Sequence, residues 1–299
     1  MTTLTRINKA LSMRNRTLRA GMRCVVIAAA VIGCTQDLDI TNPNAPDTSN
    51  FWKTQSDALA GINATYNGLQ QRGGYARWLN FAYDIRSDEG LSTSGWTELK
   101  DWTGFVQGNY NFEPPREIWW HTYWTISRAN QVITNVPNIT MDVALRDRIV
   151  GEAKFIRGLM YFNLVTLFGN VPLITAPPAP TDRPPNATPA EIYAQIEKDL
   201  TEAAAVLPLP GVYTGADIGR ATKGAALAML GKAQLQQRKW ATAATTFSQV
   251  TAMPYNLMPN YADNFTDKFE NNVESVFEVQ FGDESQLSNG VTGQNIPRM

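Results

Sequence analysis

The sequence predicts a mainly α-helical fold, with a helical-repeat body, irregular loop excursions and a short C-terminal β element. Two observations predict it. Residues 152–168 are apolar on nearly every side of a helix, so neighbours should pack around that helix. Gly169 stands where a helix C-cap glycine belongs, and Pro172 prevents the helix from resuming. Between Leu227 and Pro254, two more apolar helical stretches are joined by a short polar connection.

The N-terminal residues are organised like a secretory signal. Six basic residues and no acidic ones precede residue 37, and the short apolar stretch 24–32 cannot span a bilayer. The stretch ends in Val31-Ile32-Gly33-Cys34, which is similar to a bacterial lipobox. We therefore expect a signal peptide over residues 1–33, lipid on Cys34 and a polar tether over residues 34–50. The alternative is an ordinary signal cleaved nearby, with Cys34 incidental.

Charge and cysteine content narrow the possible partners. Loss of residues 1–33 changes the formal net charge from −1 to about −7, since six positive charges leave. An acidic chain disfavours nucleic acid and anionic lipid as partners. No other segment is apolar enough to cross a membrane, so membrane contact should run through the Cys34 lipid alone. The only cysteines are Cys24 and Cys34, so the mature chain should have no disulfide, thiol nucleophile or cysteine metal site. We also expect no cofactor.

The first half of the domain combines helices with one long excursion. A helix should begin after Thr54, with Asp57 completing a partial capping box. Residues 75–115 show no sustained helical period and predict an irregular excursion, which is unusual at that length unless it is functional. A helix from about Arg116 to Val136 follows. Another starts near Val143 and leads into the central run.

The second half holds a helical hairpin. Thr188, Pro189 and Glu191 open a helix with a capping box and a proline at its first position. The hairpin then matches one tetratricopeptide repeat, in which small residues let two helices approach closely. The matching positions are Leu230-Gly231, Ala243, Phe247 and Pro254. Residues 275–281 predict a short strand near the end of the sequence.

Four segments closely resemble the SusD/RagB family of outer-membrane nutrient-uptake lipoproteins, in the family's order after a lipobox and a tether. They are residues 118–133, 152–174, 219–227 and 271–279. The resemblance implies one family domain over residues 51–299. Family members are usually longer and continue past the last segment into a region that helps form the ligand surface. We therefore interpret the sequence as C-terminally truncated.

Aromatic residues are concentrated on and after the excursion. Six of the eight tryptophans lie between Trp78 and Trp124. Sugar rings have flat C–H faces that stack on aromatic planes, while amides and carboxylates bind hydroxyls. The candidate ligand-binding residues are therefore Trp96, Trp102, Tyr110, Asp101 and Asn109. For Trp96 and Trp102, a structural role is as compatible with the sequence as binding; for Trp119 and Tyr123, at helical spacing, a core role is favoured.

No catalytic arrangement is readable. The charged residues 84–89 predict an Arg86–Asp88 contact or a cap rather than two carboxylates facing one substrate bond. His121 is the only histidine and has no Ser/His/Asp set or histidine metal pair around it. We therefore expect a protein that is not an enzyme and has no metal site.

The resemblance implies a non-catalytic, lipid-anchored outer-membrane protein on the cell surface. It would capture oligosaccharides and hand them to a SusC-like TonB-dependent transporter. One alternative is a tetratricopeptide scaffold lipoprotein for envelope protein assembly, whose aromatics would be buried in helix seams. Another is a secreted glycan hydrolase, which would need two carboxylates converging in a cleft.

Overall fold

The computed structural model describes residues 51–106, 108, 111–179 and 181–281. Cys34, the signal peptide and the tether lie outside the described residues. Eight α-helices are present in the described part: α1 (Gln55–Asn67), α2 (Trp78–Ile85), α3 (Thr97–Thr103), α4 (Glu113–Asn135), α5 (Val143–Phe168), α6 (Pro189–Val206), α7 (Lys223–Gln236) and α8 (Trp240–Thr251). The mainly α prediction is confirmed.

Helix α5 is the centre of the fold, as the all-round apolar run predicts. It packs against α1, α4 and α6, and residues on every side of it are buried. Gly158 lets α6 approach, since a Cβ there would lie 3.1 Å from Leu200. Gly169 ends the helix at φ 71°, a left-handed conformation that favours glycine.

The buried surface of α5 also includes charged side chains. Arg157 and Glu152 are buried on α5, each facing a charged partner brought from elsewhere in the chain. Arg157 pairs with Asp199 of α6, and Glu152 pairs with Arg220, which precedes α7. These ion pairs tie α5 to later elements, and sequence periodicity did not reveal them.

The predicted caps and the hairpin are present. Thr54 with Asp57 and Thr188 with Glu191 form complete capping boxes at the starts of α1 and α6. In the α7–α8 hairpin, Gly231 lies against Phe247, whose ring would be 2.7 Å from an added Cβ. The small residue therefore permits the close helix approach that the repeat pattern predicts.

Two predictions about local structure are wrong. Residues 75–115 are not irregular throughout, because α2 and α3 lie within them and α4 begins at Glu113. Residues 275–281 form no strand; their apolar side chains pack on the helical core instead, with Phe277 edge-on to Phe155 at 4.9 Å. Among the described residues, the one sheet pairs β1 (Val171–Pro172) with β2 (Asn186–Ala187) in antiparallel register.

Candidate functional site

Four aromatic residues of the excursion form a cluster at the start of α4. Trp96 lies edge-on to Trp78 and Phe112, with ring centroids 5.9 and 6.1 Å away. Trp102 lies edge-on to Phe112 at 5.4 Å. Phe112 is the N-cap residue of α4, so the cluster joins the excursion to that helix.

The structure describes three of the five predicted site residues, and these three differ in exposure. Trp102 is only 6% exposed, so its ring offers no open face for stacking. The prediction that Trp102 is a stacking platform is therefore corrected to a structural role. The physical reason is helix α3, which turns Leu99 and Trp102 to the core. Trp96 and Asp101 remain partly exposed. Asn109 and Tyr110 lie outside the described residues.

Phe105 is an exposed aromatic residue that the sequence did not single out. It follows α3 in a Schellman turn, in which the amides of Phe105 and Val106 donate to the carbonyl oxygens of Trp102 and Asp101 at 3.3 and 3.0 Å. Its φ of 57° belongs to the left-handed region, where this turn usually places glycine. Its side chain is nevertheless 63% exposed.

Arg86 supports the Phe105 ring from one side. Its guanidinium carbon lies 4.2 Å from the ring centroid, and its Nη1 donates to the Trp102 carbonyl oxygen at 3.0 Å. Partial burial lowers the pKa of Arg86 from its usual value, although an arginine stays charged at neutral pH. The expected Arg86–Asp88 contact is therefore replaced by a cation–π contact that orients Phe105.

Helix α4 contributes a second set of aromatic side chains. Trp119 is partly buried and packs on Tyr123 and Phe168, at 5.0 and 5.3 Å between ring centroids. Trp120 points outwards and is 58% exposed. Together with Phe168 these two indoles line an open groove of about 310 Å³.

The described residues show no metal-binding arrangement. His121 is buried, with Nδ1 2.9 Å from the Glu117 carbonyl oxygen. No group of three or more histidine, cysteine, aspartate or glutamate side chains is placed to hold a metal ion within the part of the chain that the structure describes. No described helix is long and apolar enough to cross a membrane.

The comparison with protein families decides the family. A SusD-like family model, described as "Starch-binding associating with outer membrane", matches residues 38–235. The chain belongs to the SusD-like family. This confirms the family resemblance, and three of the four sequence segments lie within the matched range.

Individual SusD-like relatives agree. SusD-like protein P25 of Formosa agariphila is 27% identical over 83% of this chain and 49% of its own length. The starch-binding protein SusD of Bacteroides thetaiotaomicron is 24% identical over 92% of this chain and 54% of its own length. The chain thus spans about half the length of the curated relatives it matches.

A solved structure titled "Laminarin binding SusD-like protein" superposes with a TM-score of 0.68 at 33% identity. The superposition covers 76% of this chain and 51% of that protein. The helical body described above is therefore the SusD-like fold.

Proposed function

We propose that this protein is a non-catalytic, cell-surface carbohydrate-binding lipoprotein. It captures oligosaccharides and passes them to a SusC-like TonB-dependent outer-membrane transporter. Family membership supports the carbohydrate ligand, as does the laminarin-binding relative at 33% identity. The proposal of a lipid anchor is based on the Cys34 motif. The proposal of a transporter partner is based on the family resemblance.

The conformation of Phe105 is the observation that supports a ligand-binding surface at this turn. A bulky residue with positive φ is a strained outlier, costing on the order of 1–3 kcal/mol, and such strain concentrates at ligand clamps. At Phe105 this strained backbone carries an apolar ring that is largely exposed to solvent. A pyranose ring can stack on the face opposite Arg86.

Two of the predicted residues belong to the helix that this turn ends, since Asp101 lies within α3 and Trp96 is its N-cap. Asp101 accepts the Val106 amide through its carbonyl oxygen, so the same turn that positions Phe105 also positions Asp101. Trp96 presents a partly exposed indole from the start of α3. Asn109 and Tyr110 remain proposed ligand residues on sequence grounds. Trp102 serves as the support beneath the turn.

Replacing Phe105 with glycine should weaken glycan binding without loss of stability. One stacked ring contributes on the order of 1–3 kcal/mol by analogy with base stacking, which corresponds to roughly 5- to 150-fold in affinity. Glycine also relieves the positive-φ strain, so we expect the melting temperature to stay the same or rise. Calorimetric titration with laminarin, chosen because a relative binds it, measures the affinity.

The matched control is Phe265→Ala, which removes another exposed phenylalanine ring (59% exposed) far along the chain. It should bind laminarin like the wild type. Equal affinity of the Phe105→Gly variant and the wild type would place the ligand elsewhere. If the wild-type protein binds neither laminarin nor any glycan on a carbohydrate array, the carbohydrate function is wrong.

Lipidation of Cys34 is a separate prediction. Because the basic and apolar segments end at this cysteine, mass spectrometry of the membrane-extracted protein should find a diacylglyceryl cysteine at the mature N-terminus. Cys34→Ser should release the protein from the membrane fraction. An unmodified Cys34 within a differently cleaved chain contradicts the anchor.

The scaffold alternative predicts that the aromatic residues are buried in helix seams. Trp102 fits that expectation, but Phe105 and Trp120 do not, since both are largely exposed. The balance of these observations favours ligand binding.

A further inference from the structure

Three side chains form a stacked ladder on the outer face of α4. Trp120, Trp124 and Arg128 follow one another at four-residue spacing, which places them on one helix face. The two indoles are nearly parallel, with 12° between their planes and 6.2 Å between centroids. The guanidinium carbon of Arg128 lies 3.4 Å from the Trp124 ring centroid.

The ladder is anchored at its far end. Nη1 of Arg128 donates to the Ala64 carbonyl oxygen of α1 at 2.6 Å, so the guanidinium cannot swing away from Trp124 without losing that bond. Trp124 then supports one face of Trp120 in turn. As a result, an exposed tryptophan is held in a defined orientation before any ligand arrives, which lowers the entropy cost of binding.

Trp120 also borders the groove described above. The groove is lined by Asn111, Pro115, Arg116, Trp119, Trp120 and Phe168. Trp119 packs on Tyr123 and Phe168, so two indoles with packed aromatic neighbours line the groove. Arg116 adds hydrogen-bond donors at the rim, where its Nη2 lies 3.9 Å from a Glu117 carboxylate oxygen.

These features together indicate which class of ligand the groove would bind. A volume of about 310 Å³ lies at the low end of small-molecule sites, which span roughly 300–1,000 Å³. Flat aromatic walls with a guanidinium rim suit a ligand with apolar ring faces and many hydroxyls. The expected acidity of the mature chain disfavours a nucleic acid that would stack in the same way.

We propose that this groove is a second carbohydrate subsite, in which one pyranose ring stacks on Trp120 and Arg116 donates to its hydroxyls. The inference rests on the proposed function for its ligand class, but it uses residues of α4 and the end of α5 rather than the Phe105 turn. The binding energy would come from stacking on Trp120, which the rest of the ladder keeps in a defined orientation.

Trp120→Ala should weaken the binding of laminarihexaose roughly 5- to 150-fold, the range for loss of one stacked ring. The matched control is Trp240→Ala on α8, which removes an indole with 60% exposure outside the groove. Trp240→Ala should bind like the wild type. Arg116→Ala should weaken binding by a smaller factor while Trp120 remains in place.

A second measurement protects the test against misfolding of the alanine variant. Trp120→Tyr keeps an aromatic ring on the ladder and identifies the Trp120 indole N–H signal in the nitrogen-15 NMR spectrum by its loss. In the wild type this signal should shift on titration with laminarihexaose, whereas the Trp240 signal should not.

The outcomes separate this subsite from the proposed function. If Phe105→Gly loses affinity while Trp120→Ala does not, and the Trp120 signal stays in place, the second subsite is wrong and the carbohydrate function stands. If Trp120→Ala and Trp240→Ala lose affinity equally, the effect is general and the subsite is also wrong. A Trp120→Ala variant with normal glycan affinity that no longer co-purifies with a transporter would assign the face to protein contact instead. If the wild type binds no glycan, both proposals fail.

Discussion

Replacing Asp199 with alanine should lower the free energy of unfolding by about 3–5 kcal/mol, the range for removing one partner of a buried ion pair. Arg157 donates from Nε and Nη2 to the two carboxylate oxygens of Asp199 at 2.8 and 2.7 Å. Both side chains are buried. The substitution would leave a guanidinium in the core without its counter-ion, and α5 would lose its buried ion pair with α6.

Urea denaturation measures the effect, and an exposed pair provides the control. Arg146 and Asp147 are 3.0 Å apart at the surface of α5, so Asp147→Ala should cost at most about 1 kcal/mol. The double variant Arg157→Met/Asp199→Leu should regain much of the loss, because it removes both charges from the core. A cost below about 1 kcal/mol for Asp199→Ala would show that the pair is solvated.

The second large effect is expected for Phe162→Ala, at about 3–5 kcal/mol. Phe162 is buried on α5, edge-on to Tyr193 of α6 with ring centroids 6.5 Å apart. Lys232 of α7 places its ammonium nitrogen 5.5 Å from the ring centroid. Truncation would therefore leave a cavity where three helices meet.

The same denaturation experiment tests Phe162, with Phe265→Ala as the exposed control that should change stability by less than about 0.5 kcal/mol. A typical domain has only about 5–15 kcal/mol of stability, so the Phe162 variant should melt at a clearly lower temperature. A loss below about 1 kcal/mol would mean that the neighbouring helices close the cavity or that Phe162 is exposed in solution.

Features with local or periodic signals could be predicted from the sequence. Capping boxes at Thr54 and Thr188 depend on residues three positions apart, and the C-cap at Gly169 depends on one residue type. The burial of residues 152–168 follows from apolar side chains on every side of one helix. The hairpin required only the spacing of small residues such as Gly231 and Ala243. The four family segments were recognisable for the same reason, since each is a continuous stretch.

The candidate site was harder to predict, because the local sequence patterns there do not match the conformations in the structure. In the sequence, Gly104 stands where a left-handed C-terminal residue is expected, yet Phe105 adopts that conformation. The four-residue spacing of Trp120, Trp124 and Arg128 places them on one helix face and could have indicated the aromatic ladder. The spacing does not reveal whether that face is buried or exposed. The excursion concealed α2 and α3, because helices of eight and seven residues are too short to show a clear period.

By itself, the sequence determined the mainly helical class, the helix boundaries with strong caps, the central buried helix and the family. Only the tertiary structure decided that Trp102 is buried while Phe105 and Trp120 are exposed, and that Arg157 meets Asp199. Exposure of an aromatic ring depends on whether a distant element covers it, and an ion pair depends on which helices become neighbours. Neither property is encoded in the spacing of nearby residues, because both arise when segments far apart in the chain pack together.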